Sequence, residues 1–462
     1  MDKPRPGDVF DTSPLIEQID YSGLRMRVST DRYHSPEYHE REREQLWMKV
    51  WQVAGRADEL PETGDWMEYT IHDQSFVLVR GRDGVIRGFV NACRHRGNAF
   101  CEGKGRAARF TCPYHNWSYG LDGQLLAVAK PDFEGTTEEF VGDKAELGLI
   151  EVPVECFAGF IFINPDRNAA PLAEFLGEAG PVIEAFHLEE MVPVGMNVRE
   201  TINCNWKVVM DAFYESYHVQ AVHPELIPIM DLSKERYRRF GKHGATTVPF
   251  QGTDEQEKDP RKQVEAFRQI PKPNFPGLAE VFPRFEELVA SYSKADGSLA
   301  FPEGVTGRSL FQQAVRESLT SKGLDVSGLT DNQMSDFEFW SIFPNIYIQL
   351  RAGESTVIIA RPHPDGDPNR CYWRVAHYIW LPPEERKAQR TEMTDVPEGE
   401  HLPYFLALEQ DFSQMEEQQK GLRNNTLAYM ALTRQEPKVA QFHTVLDEWF
   451  ADRDPTLAVA AE

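Results

Sequence analysis

Cys93-Arg94-His95-Arg96-Gly97 and, with sixteen residues between His95 and the next cysteine, Cys112-Pro113-Tyr114-His115-Asn116-Trp117 decide the fold of the surrounding chain. Each short segment offers one thiol and one imidazole. Two thiolates and two imidazoles suit zinc or an iron–sulfur centre. Around them, from Trp51 to about Asn164, the sequence breaks into short β-like runs bounded by turn signals. Residues 76–79 precede Asp83-Gly84, and residues 159–163 precede Asn164-Pro165. Such texture predicts a small all-β domain, with two loops that can clasp a centre from two sides.

Zinc fingers usually group Cys with Cys and His with His, whereas here each loop carries one of each. A Rieske [2Fe–2S] centre needs that mixture: both thiolates bind one iron and both imidazoles the other. Neutral imidazoles raise its potential relative to an all-thiolate cluster. Zinc, and a chance set of core cysteines and surface histidines, are the competing readings. Cys101 falls between the loops but outside the pattern, and reads as a packed or partly exposed thiol.

Working outward, the chain has 462 residues, about three times the ~150 of a typical domain, so two or three domains are expected. At 41% apolar and 11% aromatic residues, wholesale disorder is excluded. A net charge of −24 disfavours binding to phosphate backbones or anionic membrane surfaces. No run of about 18 apolar residues suggests a transmembrane helix, and the start lacks a secretory signal. Six cysteines do not make a disulfide framework at this length. A cytoplasmic protein with reduced thiols fits best.

Ser35-Pro36 reads as a helix cap and first turn, opening a helix to about Val50. Beyond residue 165, a helix is expected over 205–222, followed by a long charged stretch, 225–335, with helical pieces such as 310–319. Strands at 339–350, 356–361 and 371–380, then helices at 403–422 and 439–450, predict an α+β second domain. The aromatic run Phe337, Phe339, Trp340, Phe343 and Tyr347 fits sheet core, a flat apolar pocket, or a cage for a cation.

His218 and His223 stand five apart, just before Pro224. On an ideal helix that separation leaves them about 140° apart. They can reach one ion only where the helix frays, and Pro224 marks such an end. Two imidazoles and a carboxylate, which need not be local, form the facial triad of non-heme Fe(II) oxygenases.

Taken together, the chain resembles the large (alpha) subunit of Rieske non-heme iron ring-hydroxylating oxygenases. The resemblance rests on C-x-H-R-G and C-P-Y-H-x-W, on Asn205-Trp206-Lys207 with Glu215-x-Tyr217-His218-x4-His223, and on Leu408-Glu409-Gln410-Asp411. It implies that Cys93, His95, Cys112 and His115 hold a [2Fe–2S] Rieske cluster, and that His218, His223 and Asp411 hold a mononuclear Fe(II). It implies an α+β fold: a small all-β Rieske domain plus a helix-grip catalytic domain with an antiparallel sheet. The expected division is 1–44 as an N-terminal segment on the catalytic domain, 45–164 as the Rieske domain and 165–462 as the catalytic domain. Two departures stand out. Glu215 occupies a position where hydrocarbon-oxidising members usually carry Asp, and Asp211-Ala212 stands where many have Glu-Asn. Glu215 is implied to join His218 to His115 of a neighbouring subunit's cluster.

The implied activity is that of a terminal oxygenase. It would use O2 and electrons from a separate reductase, with or without a ferredoxin, to hydroxylate an aromatic compound or aromatic acid. N- or O-demethylation or quaternary-amine oxidation is the alternative within the family, and a Rieske electron-transfer protein the alternative outside it. A homotrimer is implied, with or without a beta subunit.

Overall fold

The computed structural model describes residues 19–128, 144–227, 230–249, 259–270, 275–389 and 392–453. Residues 1–18 of the N-terminal segment expected on the catalytic domain lie outside them. The chain divides into two compact units.

The smaller unit comprises Glu40–Phe175 with His363–Asp367. Its five-stranded sheet runs in the order Glu151–Val152, Ile86–Val90, Gln74–Arg80, Asp65–Ile71, Lys104–Arg106, every pair antiparallel. Along Asp65–Ile71 every second residue is buried, the period-2 pattern of a half-buried strand. A three-stranded sheet joins Val154–Phe157, Phe160–Ile163 and Gln52–Arg56. Its hairpin turns on Ala158 and Gly159, both at positive φ, which matches the right-handed strand twist. A third small sheet is formed by Phe110–Thr111, Ser118–Tyr119 and Leu125–Ala127. The core between them gathers Val77, Val79, Phe89, Phe110, Tyr119, Leu121 and Leu125 around Cys93 and Cys112.

The larger unit comprises Met1–His39, Leu176–Pro362 and Pro368–Glu462. Its centre is an eight-stranded sheet ordered Arg236–Phe240, His243–Val248, Phe337–Ile342, Ile346–Arg351, Glu354–Pro362, Cys371–Trp380, Met191–Ile202, Thr394–Asp395. All pairings are antiparallel except the last. The expected strand 339–350 is a hairpin, broken at Phe343-Pro344-Asn345 because proline cannot donate to the ladder. Against this sheet lie the helices Trp206–Phe213, Leu406–Leu422 and Pro437–Ala451. The stretch between His243–Val248 and Phe337–Ile342 forms the helices Pro260–Arg268, Val281–Ala290 and Gly307–Ser321. They share a core of their own, in which Phe311 stacks on Phe267 at 4.6 Å and meets Phe285 edge-on at 5.6 Å. Near the chain's start, Arg27–Ser29 pairs with Tyr429–Ala431.

Two expected helices are shorter than their patterns. The first is α-helical over Pro36–Glu42 and widens into a π turn at Arg43–Trp47, with Ser35 Oγ accepting from the Tyr38 amide at 3.1 Å. The helix expected over 205–222 stops at Phe213 and resumes as one turn, Val219–Val222. No helix of the described residues is long and apolar enough to cross a membrane.

Candidate metal centres

In the smaller unit the two Cys–His segments are tight loops at strand ends. The first closes with Gly97 N–H donating to Cys93 O at 2.8 Å, and Gly97 takes φ +77°, a conformation that favours glycine. The second closes the same way, Asn116 N–H to Cys112 O at 3.0 Å, with Asn116 at φ +55°. Both thiols point into the core, Cys93 3% and Cys112 1% exposed, while the His95 ring stands at the surface. The Nδ1 atoms of His95 and His115 approach to 3.2 Å, with the rings nearly perpendicular. Two imidazoles that share one atom bring their donor nitrogens together in this way. Trp117 stacks on His95 at 4.9 Å and 7°, which fixes the ring's plane. Tyr119 Oη lies 3.2 Å from Cys93 Sγ, placed to donate to a thiolate. Hydrogen bonds to the sulfurs are one means by which a protein tunes a cluster's potential. Cys101 is buried, and burial pushes its thiol up to about 12; it is an inert core residue.

In the larger unit, one ligating atom from each of His218, His223 and Asp411 lies within 4.8 Å of the others. Asp411 Oδ1 is 2.8 Å from His223 Nε2 and 3.4 Å from His218 Nε2. The break at Phe213 makes this possible. Tyr214 N–H donates back to Met210 O at 2.9 Å and ends the first helix. His218 and His223 then flank the four-residue helix Val219–Val222, and His223 leaves it at φ −120°, ψ 60°. The rings meet at 5.1 Å and 78°, although an unbroken helix would hold them on different faces. Asp411 comes from Leu406–Leu422, whose buried face carries Ala407, Leu408, Asp411, Met415 and Gln419. Glu409 turns away, its Oε1 3.0 Å from His401 Nε2.

The other imidazole nitrogens are held too. His218 Nδ1 lies 2.5 Å from Glu215 Oε1, and His223 Nδ1 lies 2.8 Å from Gln410 Oε1. Such partners fix ring orientation and leave Nε2 free to ligate. Glu215 sits in the turn between helices, and its Oε2 also accepts from the amides of Tyr217 and His218. Its contact with His218 therefore comes from a local turn, not from a shared helical face. Gln410 was not singled out in the sequence, although it adjoins Asp411 in the quoted run. Burial disfavours the His218 imidazolium, but the hydrogen bond and charge of Glu215, with Asp411, raise its pKa overall. For His223, burial is likewise outweighed by Asp411 and Gln410. The pocket is thus built to hold positive charge, and donors this close fit a single ion with bonds of roughly 2 Å. Two imidazoles and one carboxylate with an open side are the donor set of mononuclear non-heme iron.

These three residues line a cavity of about 840 Å³, including its mouth, whose walls include Phe213, Phe275, Phe337, Phe339, Tyr347 and Phe405. The aromatic run divides between cavity and core. Phe337, Phe339 and Tyr347 face the cavity, while Trp340 packs on Phe240 at 4.8 Å and Phe343 on Trp449 at 5.4 Å.

The fold and both donor sets define the class. Residues 182–452 match the ring hydroxylating alpha subunit (catalytic domain) model, and residues 50–137 match the Rieske [2Fe-2S] domain. The chain belongs to the ring hydroxylating alpha subunit family, whose cofactors are a Rieske [2Fe–2S] cluster and a mononuclear non-heme iron. Among its relatives, the carnitine monooxygenase oxygenase subunit of Acinetobacter pittii is 34% identical over 210 residues, covering 44% of this chain and 54% of that protein. The biphenyl dioxygenase subunit alpha of Paraburkholderia xenovorans is 33% identical over 217 residues, covering 44% and 47%. The chain thus spans about half the length of the curated relatives it matches. Naphthalene 1,2-dioxygenase from Rhodococcus sp. shares the fold, with a TM-score of 0.63 at 18% identity, covering 96% of this chain and 98% of that one.

Proposed function

We propose that this chain is the terminal oxygenase of a Rieske system and hydroxylates an aromatic compound or aromatic acid. The observation that carries this reading is the meeting of His218, His223 and Asp411 in a cavity walled by flat aromatic side chains. Here Cys93, His95, Cys112 and His115, in a Rieske domain over 45–164, hold the cluster. His218, His223 and Asp411, in a catalytic domain over 165–462, hold the iron. When bound, the cluster supplies single electrons and the iron a site for O2 activation. The chain's own residues orient and exclude. Glu215 and Gln410 fix the two imidazoles, Asp411 supplies the anionic donor, and the aromatic walls bind an apolar substrate body and keep bulk water out.

Electrons come from a separate reductase, directly or through a ferredoxin. The assembly is a homotrimer of heterologous contacts, with or without a beta subunit, working in the cytoplasm. The trimer rests on the family resemblance, and the exposed His95 ring is compatible with it. A second reading, oxidation of a quaternary amine, is favoured by the carnitine monooxygenase relative and by Glu215 in place of Asp.

The test is aerobic turnover with a surrogate reductase on a mixed substrate panel, read by product mass. Two added oxygens mean dioxygenation and one means monooxygenation, while loss of a methyl group with formaldehyde means demethylation. No oxygenated product from any substrate, with both metals loaded, would leave only electron transfer.

Glu215 serves as the positioning residue between the centres, oriented toward His218 here and toward His115 of an adjoining copy in the trimer. Glu215→Gln keeps the shape and removes the charge. Both metals should load normally, while product formation falls roughly tenfold to a hundredfold, the scale of losses when a ligand's partner is changed. Single-turnover kinetics of pre-reduced protein separate this from a structural role: cluster oxidation on adding O2 and substrate should slow. Wild-type rates would remove Glu215 from the link.

A further inference from the structure

The cavity beside the iron donors is walled largely by apolar side chains, and one cation interrupts that wall. Lys438, the second residue of Pro437–Ala451, is 2% exposed and lines the same cavity as His218, His223 and Asp411. An ammonium group carries three donors. Among the described residues, Lys438 Nζ makes one hydrogen bond, 3.1 Å to the Phe339 carbonyl. The Phe339 ring centroid is 5.9 Å away. A buried ammonium is costly unless it is paired and hydrogen-bonded.

The charges that face it come from two other segments. Glu235, just before the strand Arg236–Phe240, is buried and engages the Ser216 hydroxyl. Glu215 is already occupied by His218 and two backbone amides. Burial pushes the Lys438 ammonium down to about 8, against the pull of these two carboxylates. Its Nζ has donor capacity left over and an apolar cavity in front of it. In pockets of this kind a few placed polar groups set a ligand's orientation.

We propose that Lys438 is the specificity-determining residue of this cavity and takes a carboxylate on the substrate, while the aromatic walls hold the rest of the molecule. This deepens the oxygenase reading and rests on it. Because Lys438 and the three iron donors line one cavity, a single small molecule can be held at one and presented to the other. A carboxylate can belong to an aromatic acid or to a trimethylammonium carboxylate. Both answer to the same anchor and differ only in the body that the aromatic walls receive.

Binding to the metal-loaded protein, measured by calorimetry without reductant, tests the anchor independently of turnover. The probes are benzoate against benzamide, and glycine betaine against choline. Each pair keeps its body while changing or removing the carboxylate. Benzoate should bind roughly tenfold or more tightly than benzamide, the scale of one charge-assisted hydrogen bond. Lys438→Gln, which can still donate to the Phe339 carbonyl, should abolish that preference at unchanged metal content, and Lys438→Met should do the same. A Lys438-dependent preference confined to glycine betaine would keep the anchor and overturn the aromatic body. Equal binding within both pairs in the wild-type protein, or a preference that survives in Lys438→Gln, overturns the proposal. The wild-type comparison stands even if neither variant folds. Failure of the oxygenase reading itself would appear separately, as absent oxygenated product despite carboxylate binding.

Discussion

The His218→Ala protein should purify brown, with its cluster iron intact, without the third iron and without any oxygenation. The geometry makes the loss severe. Asp411 Oδ1 lies between the two imidazoles, 2.8 Å from one Nε2 and 3.4 Å from the other. Removing His218 leaves a two-donor site that also strands Glu215, whose carboxylate is shaped around the missing Nδ1. Changes to such outer partners alone cost 10–100-fold in metal affinity, so loss of a ligand should take mononuclear iron below roughly a tenth of wild type. Asp411→Ala should do the same, because a hard carboxylate balances Fe(II) beside two neutral imidazoles. Glu409→Ala is the control: its side chain engages His401 and the Tyr404 amide, not the donors. Iron per chain, measured with the visible spectrum of the cluster, separates the cases. Retained oxygenation in His218→Ala would end this ligand assignment, and a Glu409 effect larger than that of Asp411 would move the carboxylate.

Cys112→Ser carries the second large effect. The thiol is 1% exposed within a core of Phe110, Tyr119 and Leu125. A serine hydroxyl cannot replace a soft thiolate in binding cluster iron. The cluster's absorbance and its low-temperature resonance should vanish, along with two of the three irons. The mononuclear site draws all its donors from the larger unit, so its iron should be retained. Turnover driven through a reductase should fall to background. Zinc in place of iron at Cys93 and Cys112 in protein isolated anaerobically would overturn the cluster reading.

The cluster loops were legible because all four donors fall within 23 residues of chain and each loop closes locally: Gly97 and Asn116 take the left-handed backbone that the turns require. The iron site was legible only in part. His218 and His223 announce themselves as histidines near a proline, but an unbroken 3.6-residue period puts them on different faces. What brings them together is the arrest of the helix at Phe213, a tertiary outcome with no punctuating glycine or proline at that point. The distance along the chain from His223 to Asp411 hides the carboxylate from any spacing argument, so resemblance alone singled it out from Glu409. Lys438 was silent for the same reason. A lysine in the first turn of a helix that also carries Gln441, Asp447 and Glu448 reads as surface until the sheet is seen to close over it.

The strand Phe337–Ile342 assigns Phe337 and Phe339 to the cavity and its even positions to the core, where Trp340 Nε1 donates to Glu338 at 3.1 Å. Selection can therefore act on two nearly independent alphabets within six residues. Exchanges at 337 and 339 alter an existing void, whereas exchanges at 340 or 342 open a new one and carry the larger cavity cost. Such a scaffold can explore new substrates through 337 and 339 while the even letters keep it folded. The substrate cavity can vary while the core beside it keeps the sheet intact.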